Sequence, residues 1–301
     1  MSRDGSMPPA HPLPLRPVDG HKGTFGTVLV IGGCDTEQSC MVGGPCFAAI
    51  GALRAGAGRA ILAVPRTIMS SCLEVAPSAT GLPLPESIDA AVECLKEAMA
   101  GVQAVVIGPG LGVSDYSREL VASVLESSSD LPRVLDADGL NVFTKDCVGV
   151  IKGRGPVVLT PHPGEYDRLA SVLGVPTRPR SDQERQEAAV ALSHATHAVT
   201  VLKGQGTVVA DADRSWTCER GSVSLATGGS GDVLAGIIGG LLAQGHQAGC
   251  PEAWDLAAWG TWIHAVAGEE WSRRNGTAGL LATDLADEVP SVLMHVPRAK
   301  A

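Results

Sequence analysis

Short apolar runs rich in β-branched residues alternate with longer stretches of helical spacing along almost the whole chain. This is the pattern of a parallel sheet covered by helices on both faces. The runs at 27–31, 60–64, 104–107, 134–136, 157–160 and 199–202 predict core strands. Between them, helical patterns are centred on 45–55, 86–100, 116–127, 165–173 and 183–197. After Lys203 the texture changes. Two short runs, 207–210 and 215–218, flank Asp211-Ala212-Asp213-Arg214 and predict an antiparallel hairpin at the sheet edge. From Asp232 onward the pattern is helical.

The polar and glycine-rich motifs fall in one kind of place. Gly32-Gly33, Gly108-Pro109-Gly110-Leu111-Gly112, Asp136-Ala137-Asp138, Pro161-His162-Pro163-Gly164-Glu165 and Lys203-Gly204-Gln205-Gly206-Thr207 each follow a predicted strand. In open sheets of this kind ligands bind beyond the carboxyl ends of the strands, so these motifs predict a single cleft.

Composition narrows the class of partner. The chain has 301 residues, 45% of them hydrophobic, and a formal net charge of -9. It can bury a large core, and it lacks the basic face that a nucleic acid or an anionic membrane requires. The eight cysteines form no C-x-x-C pair and no zinc-site spacing, and they read as small apolar residues of a reducing compartment. Residues 1–20 are rich in proline, have no apolar signal-peptide core, and read as a flexible arm, frayed or wrapped over the surface. The apolar run 233–243 is interrupted by glycines and is far shorter than the roughly 20 residues of a membrane span. No linker or repeat divides the rest, so 21–301 is expected to be one cytoplasmic domain.

The most telling stretch is Thr227-Gly228-Gly229-Ser230-Gly231-Asp232, followed at once by an apolar helix. Free backbone N–H groups and the positive end of the helix dipole would converge there on an anion such as a phosphate. A carboxylate beside that anion repels it unless Asp232 takes a proton from a hydroxyl that is being phosphorylated. A tight strand-to-helix connection with an acid at its favoured end is the plainer alternative. No Gly-Lys-Ser/Thr closes the loop, so it is not a P-loop. Glu165 either holds a hydrated Mg²⁺ beside the phosphates or caps the helix that begins there. His162 stands at the mouth of its strand, within reach of a substrate amide or hydroxyl. Lys203 reads as a cation for a nucleotide phosphate or as a solvated turn lysine. Asp136 and Asp138 would share a face if the strand continued, binding Mg²⁺ or a ribose, unless one caps the next turn. His264 and Glu269 fall in an apolar helical pattern and read as structural.

Taken together, His21-Lys22-Gly23-Thr24-Phe25-Gly26, Ile31-Gly32-Gly33, Gly43-Gly44-Pro45, Ala52-Leu53-Arg54-Ala55-Gly56-Ala57-Gly58, Ile107-Gly108-Pro109-Gly110-Leu111-Gly112, Leu135-Asp136-Ala137-Asp138, Thr160-Pro161-His162-Pro163-Gly164-Glu165 and Ala226-Thr227-Gly228-Gly229-Ser230-Gly231-Asp232-Val233-Leu234 resemble the ADP- or ATP-dependent NAD(P)H-hydrate dehydratases. The likeness runs in order from about residue 21 to about 292. It implies a ribokinase-like three-layer α/β/α sandwich with a mostly parallel central sheet. It also implies a repair reaction, in which hydrated NADH or NADPH is phosphorylated on its ring hydroxyl and phosphate then leaves, restoring the double bond. By position, Gly44, Gly110, His162 and Asp232 would touch the hydrated dinucleotide. Lys203, Gly204, Gln205, Gly206, Thr207 and Gly231 would touch the ADP or AMP, and Gly229, Ser230 and Gly231 would steady the moving phosphoryl group. Mg²⁺, a homo-oligomer and a separate epimerase acting on the same hydrate belong to the same set of expectations.

Three features depart from the family pattern: Gly44 stands where alanine is usual, the 34–41 loop is long, and Cys218-Glu219-Arg220-Gly221-Ser222 replaces an Asn-Pro-Thr-Gly segment. A small-alcohol kinase of the hydroxyethylthiazole type and a non-catalytic nucleotide-binding protein are the competing readings.

Overall fold

The computed structural model describes residues 7–127, 130–151, 155–249 and 252–299. In chain order its elements are β1 (Thr27–Ile31), β2 (Cys34–Asp35), β3 (Cys40–Met41), α1 (Gly43–Arg54), β4 (Arg59–Pro65), α2 (Met69–Val75), β5 (Thr80–Leu84), α3 (Ile88–Met99), β6 (Ala104–Ile107) and α4 (Asp115–Glu126). Then come β7 (Arg133–Leu135), α5 (Asp138–Asn141), α6 (Lys145–Ile151), β8 (Val157–Leu159), α7 (Pro163–Leu173), α8 (Asp182–Thr196), β9 (Val199–Leu202), β10 (Thr207–Ala210) and β11 (Ser215–Cys218). Three helices close the chain: α9 (Ser230–Ala248), α10 (Ala253–Asn275) and α11 (Ala282–Leu293).

Nine strands form one sheet in the order β11-β10-β9-β8-β7-β6-β1-β4-β5. Pairing is parallel from β9 through to β5, and β10 runs antiparallel to both β9 and β11, as the edge hairpin predicts. Both faces are covered, which explains why β1 is buried at all five positions. Its alternate side chains divide between two cores: Val28 and Val30 meet the one containing α9 and α10, whereas Leu29 and Ile31 meet the one containing α4, α7 and α8. This is the three-layer architecture expected.

Several elements were not expected from the pattern. Strand β5 carries no alternating strand pattern because Gly81 and Pro83 break its run; a proline is tolerated there because β5 is the edge of the sheet. The short α2, α5 and α6 and the β2–β3 hairpin carry too few residues for a periodic signal. No helix among the described residues is long and apolar enough to cross a membrane. Cys46, Cys72 and Cys218 are buried free thiols, as expected, but Cys40 is exposed; Cys250 lies outside the described residues.

Residues 7–20 wrap the surface. Leu13 is fully buried and its backbone is bonded to Pro297 and Ala299. The Trp259 indole donates to the His11 carbonyl at 2.8 Å, and Arg16 donates to the Gly56 carbonyl at 2.7 Å while stacking on Phe25. Residues 1–6 of the predicted arm lie outside the described residues.

Glycines set how closely α9 approaches its neighbours. A Cβ on Gly240 would sit 2.6 Å from the Ala52 carbonyl oxygen, one on Gly51 equally close to the Val233 carbonyl, and one on Gly236 would overlap the Ala48 carbonyl outright. Backbone stands at each contact, so a methyl cannot be absorbed by a rotamer change. Gly236→Ala is therefore expected to lower unfolding free energy by about 1–3 kcal/mol, read as an earlier urea midpoint at unchanged slope. An unaltered midpoint would show that α1 and α9 are not packed this closely.

Candidate active site

The carboxyl ends of β1 and β6 to β9 deliver the expected motifs to one edge of the sheet. Strand β7 stops at Leu135, and Ala137 takes a left-handed φ of 49°, so the Asp136 and Asp138 side chains diverge instead of sharing a face. Asp136 turns inward, where its Oδ1 accepts from the Thr160 hydroxyl at 2.7 Å and from Lys203 Nζ at 2.6 Å. Asp138 accepts from the Gly112 N–H at 2.8 Å and from the Asn141 amide at 3.1 Å, which ties the β6 loop to α5. The glycine at 108 has a positive φ of 121° and a backbone in contact with Asp136, where any side chain would collide.

Lys203 is not a solvated turn lysine. Its side chain is only 17% exposed and lies between Asp136 and Glu165, with Nζ 3.8 Å from Glu165 Oε2. Burial opposes the charge on this ammonium, but Asp136 and Glu165 more than offset it and raise its pKa above the usual value. Asp232 belongs to the same cluster. Burial, reinforced by Asp136, pushes its carboxyl up to about 7 against the opposing pull of Lys203. Burial also raises Glu165, partly countered by Lys203.

Glu165 makes the cap that was the alternative to metal binding. Its Oε2 accepts from the His162 N–H at 2.7 Å, and His162 Nδ1 accepts from the N–H groups of Gly164 at 3.0 Å and Glu165 at 3.3 Å. The two side chains thus cap the start of α7 reciprocally, with Pro163 at the first helical position. The His162 ring remains more than half exposed, its Nε2 3.5 Å from Glu165 Oε1. Among the described residues no three His, Cys, Asp or Glu side chains gather as a metal site.

Helix α9 starts as expected. Gly229 occupies its cap position with φ 87°, and Asp232 lies in its first turn. The Val233 N–H bonds back to the Gly229 carbonyl, whereas no described residue accepts from the N–H of Gly231 or Asp232. A Cβ on Gly231 would stand 3.3 Å from Lys203 Nζ, so the ammonium borders these free donors. Ser230 is held from the other side by His264, whose Nε2 lies 3.0 Å from both Oγ and the carbonyl oxygen of Ser230. The sequence pattern reads His264 as structural, with no sign of its contact with Ser230. Burial drops its pKa to about 4, so the ring is neutral. Glu269, also expected as structural, pairs with Arg220 and accepts from the Gly221 N–H at 2.6 Å.

Gly44 and Gly110 come together at the β1–β6 side: a Cβ on Gly44 would lie 3.2 Å from the Gly110 nitrogen and 3.1 Å from the Pro109 carbonyl carbon. On the β9 side, the 203–207 loop is tied from beneath. One Arg185 nitrogen donates to the carbonyls of Leu202, Lys203 and Gly206 at 3.2, 3.3 and 3.4 Å, and the Thr207 hydroxyl donates to Gly204 at 3.0 Å. Gln205 is exposed at the tip. A cavity of about 810 Å³ lined by Lys96, Met99, Gln103 and His246 includes none of these motif residues.

A family model described as NAD(P)H-hydrate dehydratase matches residues 28–291. The ADP-dependent (S)-NAD(P)H-hydrate dehydratase of Neisseria meningitidis is 36% identical over 281 residues, covering 92% of this chain and 88% of that one. A crystal structure of the Bacillus subtilis ADP/ATP-dependent NAD(P)H-hydrate dehydratase, co-crystallised with ATP and Mg²⁺, superposes with a TM-score of 0.76 at 31% identity and 94% coverage of each chain. The Bifunctional NAD(P)H-hydrate repair enzyme of Moorella thermoacetica is 38% identical over 290 residues, which span 94% of this chain but about half, 52%, of that protein. With the site geometry, the match over nearly its whole length leads to one conclusion: the chain belongs to the NAD(P)H-hydrate dehydratase family.

Proposed function

We propose that this protein restores NADH or NADPH from the hydrated forms of these cofactors, using ADP or ATP to turn a ring hydroxyl into a leaving group. The observation that carries the reading is the pairing of a free-donor helix start, at Gly231 and Asp232, with a carboxylate whose pKa is about 7. Near neutrality such a group is both available as a base and strong enough to take a hydroxyl proton. Asp232 removes the proton as the hydroxyl oxygen bonds to the terminal phosphorus and the bond to the remaining nucleotide breaks. The N–H groups at the start of α9 and the Lys203 ammonium stabilise charge on the transferring phosphoryl group. Phosphate then departs with its bonding electrons, a proton is lost from the adjacent ring carbon, and the double bond returns. The products are NAD(P)H, inorganic phosphate and AMP or ADP.

Gly44, Gly110 and His162 are assigned to the hydrated dinucleotide, and the loop from Lys203 to Thr207 to the nucleotide. In this reading Lys203 works from below the phosphates, because its ammonium faces Asp136 and Gly231. Glu165 and Asp136 could hold Mg²⁺ only through water, which suits a hard cation that keeps its hydration and sits on nucleotide phosphates, where it would supply charge neutralisation. A cytoplasmic location, a homo-oligomer and a separate epimerase for the same hydrate complete the proposal.

The deciding experiment mixes the protein with hydrated NADH, Mg²⁺ and ADP or ATP, and follows returning NADH absorbance together with released phosphate. Equal amounts of both are expected; accumulation of a stable phosphorylated product would mean a small-alcohol kinase instead, and binding without turnover a sensor. Asp232→Asn should lose turnover by a factor of about 10² or more while still binding nucleotide. The same variant should melt at higher temperature above pH 7. A carboxyl raised from 3.8 to about 7 keeps more protons folded than unfolded, so its ionisation costs stability as pH rises across that window. A variant with near-normal rate would remove Asp232 from the general-base role. In the wild type, kcat/KM should climb with pH to a plateau above about 7. Lys203→Met, which removes the cation that holds this pKa down, should move the rise to higher pH; a rise that stays in place would dissociate Lys203 from the base.

A further inference from the structure

The first turn of α9 has two needs that conflict. Its N–H groups must stay free for a phosphoryl group, yet the turn must be held still without a capping side chain, since Gly229 has none to offer. A serine this near a helix start can fold its hydroxyl back onto first-turn N–H groups and occupy them. Ser230 does not. Its hydroxyl and its carbonyl both face His264 Nε2 at 3.0 Å, and the serine is almost fully buried. A carbonyl oxygen can only accept, so Nε2 is the protonated nitrogen and the donor. Helix α10 keeps the ring in place: one turn before His264, a Cβ on Gly260 would stand 2.7 Å from Ile238 of α9, so the two helices are locked at close approach.

We propose that His264 is a positioning residue for phosphoryl transfer: its Nε2–H engages Ser230 and so leaves the Gly231 and Asp232 N–H groups, with the Asp232 carboxylate, aimed at the reacting phosphate. The proposal rests on the functional reading above for the identity of the phosphate donor. Its effect is selective, because a nucleotide with a phosphoryl group to transfer at the α9 start engages the N–H groups of both Gly231 and Asp232, whereas AMP has no such group and depends on the alignment less.

The test compares the wild type with His264→Phe, which keeps the ring volume without a donor, and His264→Gln, which returns an N–H near the place of Nε2. Folding of each is checked by Tm. His264→Phe should lose about tenfold or more in kcat and about tenfold in affinity for ATP, with a clearly smaller loss for AMP, and His264→Gln should recover most of both losses. Near-wild-type kcat in the phenylalanine variant, an equal loss of ATP and AMP affinity, or a glutamine variant no better than phenylalanine would overturn the proposal. Should the phenylalanine variant not fold, His264→Asn, whose amide is one methylene too short to reach Ser230, replaces it in the same comparison. If the wild type fails to turn over hydrated NADH, the functional reading fails by itself and the contrast between ATP and AMP decides the role of His264.

Discussion

One ammonium organises the cleft. Asp136, Glu165 and Asp232 converge at the ends of three different elements, and without a cation among them their mutual repulsion and desolvation would be prohibitive. Lys203 supplies it from the end of β9, with one short bond to Asp136 and a longer approach to Glu165. The compensation is unequal, and the inequality is useful. Asp136, bonded to both Lys203 and Thr160, is held as an acceptor, whereas Asp232 makes no such bond and is left with a pKa of about 7.

That asymmetry depends on where α9 begins, and its start depends on glycine. Gly51, Gly236 and Gly240 allow α1 and α9 to touch backbone to backbone, so α9 is fixed along its length rather than only at its tip. At the tip, Gly229 takes a left-handed conformation and leaves the donors of the next residues open. The neighbouring motif solves the same problem in the opposite way. At α7 the His162–Glu165 pair consumes the end groups of its helix, so one helix start in the cleft is closed and the other is open. Of the two helix starts, α9 is the one that keeps free donors.

Much of this was legible in the residue order. The six core strands, the edge hairpin and the gathering of glycine and acidic motifs at strand ends follow from period-two and helical spacing, which are local properties. The misses have a common cause. The edge strand β5 is built on a glycine and a proline, and its pairing with β4 is a tertiary fact. The charge of Lys203 is evident from sequence, but its burial against Asp136 is not, because Asp136 is distant along the chain and adjacent only through β7, β8 and β9. His264 looked like an ordinary buried histidine for the same reason, its link to Ser230 being made by the packing of α10 on α9.

The sequence by itself determined the kind of fold, the family, and the chemical vocabulary of the site: a glycine-rich helix start, an acid in its first turn, and a set of polar groups at strand ends. Backbone conformation and short-range spacing suffice for these. Tertiary structure alone decided what each charged group does. A pKa or a capping role depends on burial and on partners within a few ångströms, and the chain brings those partners together from positions far apart in its order. Asp136 and Asp138 show the difference: two residues apart in sequence, they are sent to different tasks by one residue of positive φ between them, Ala137.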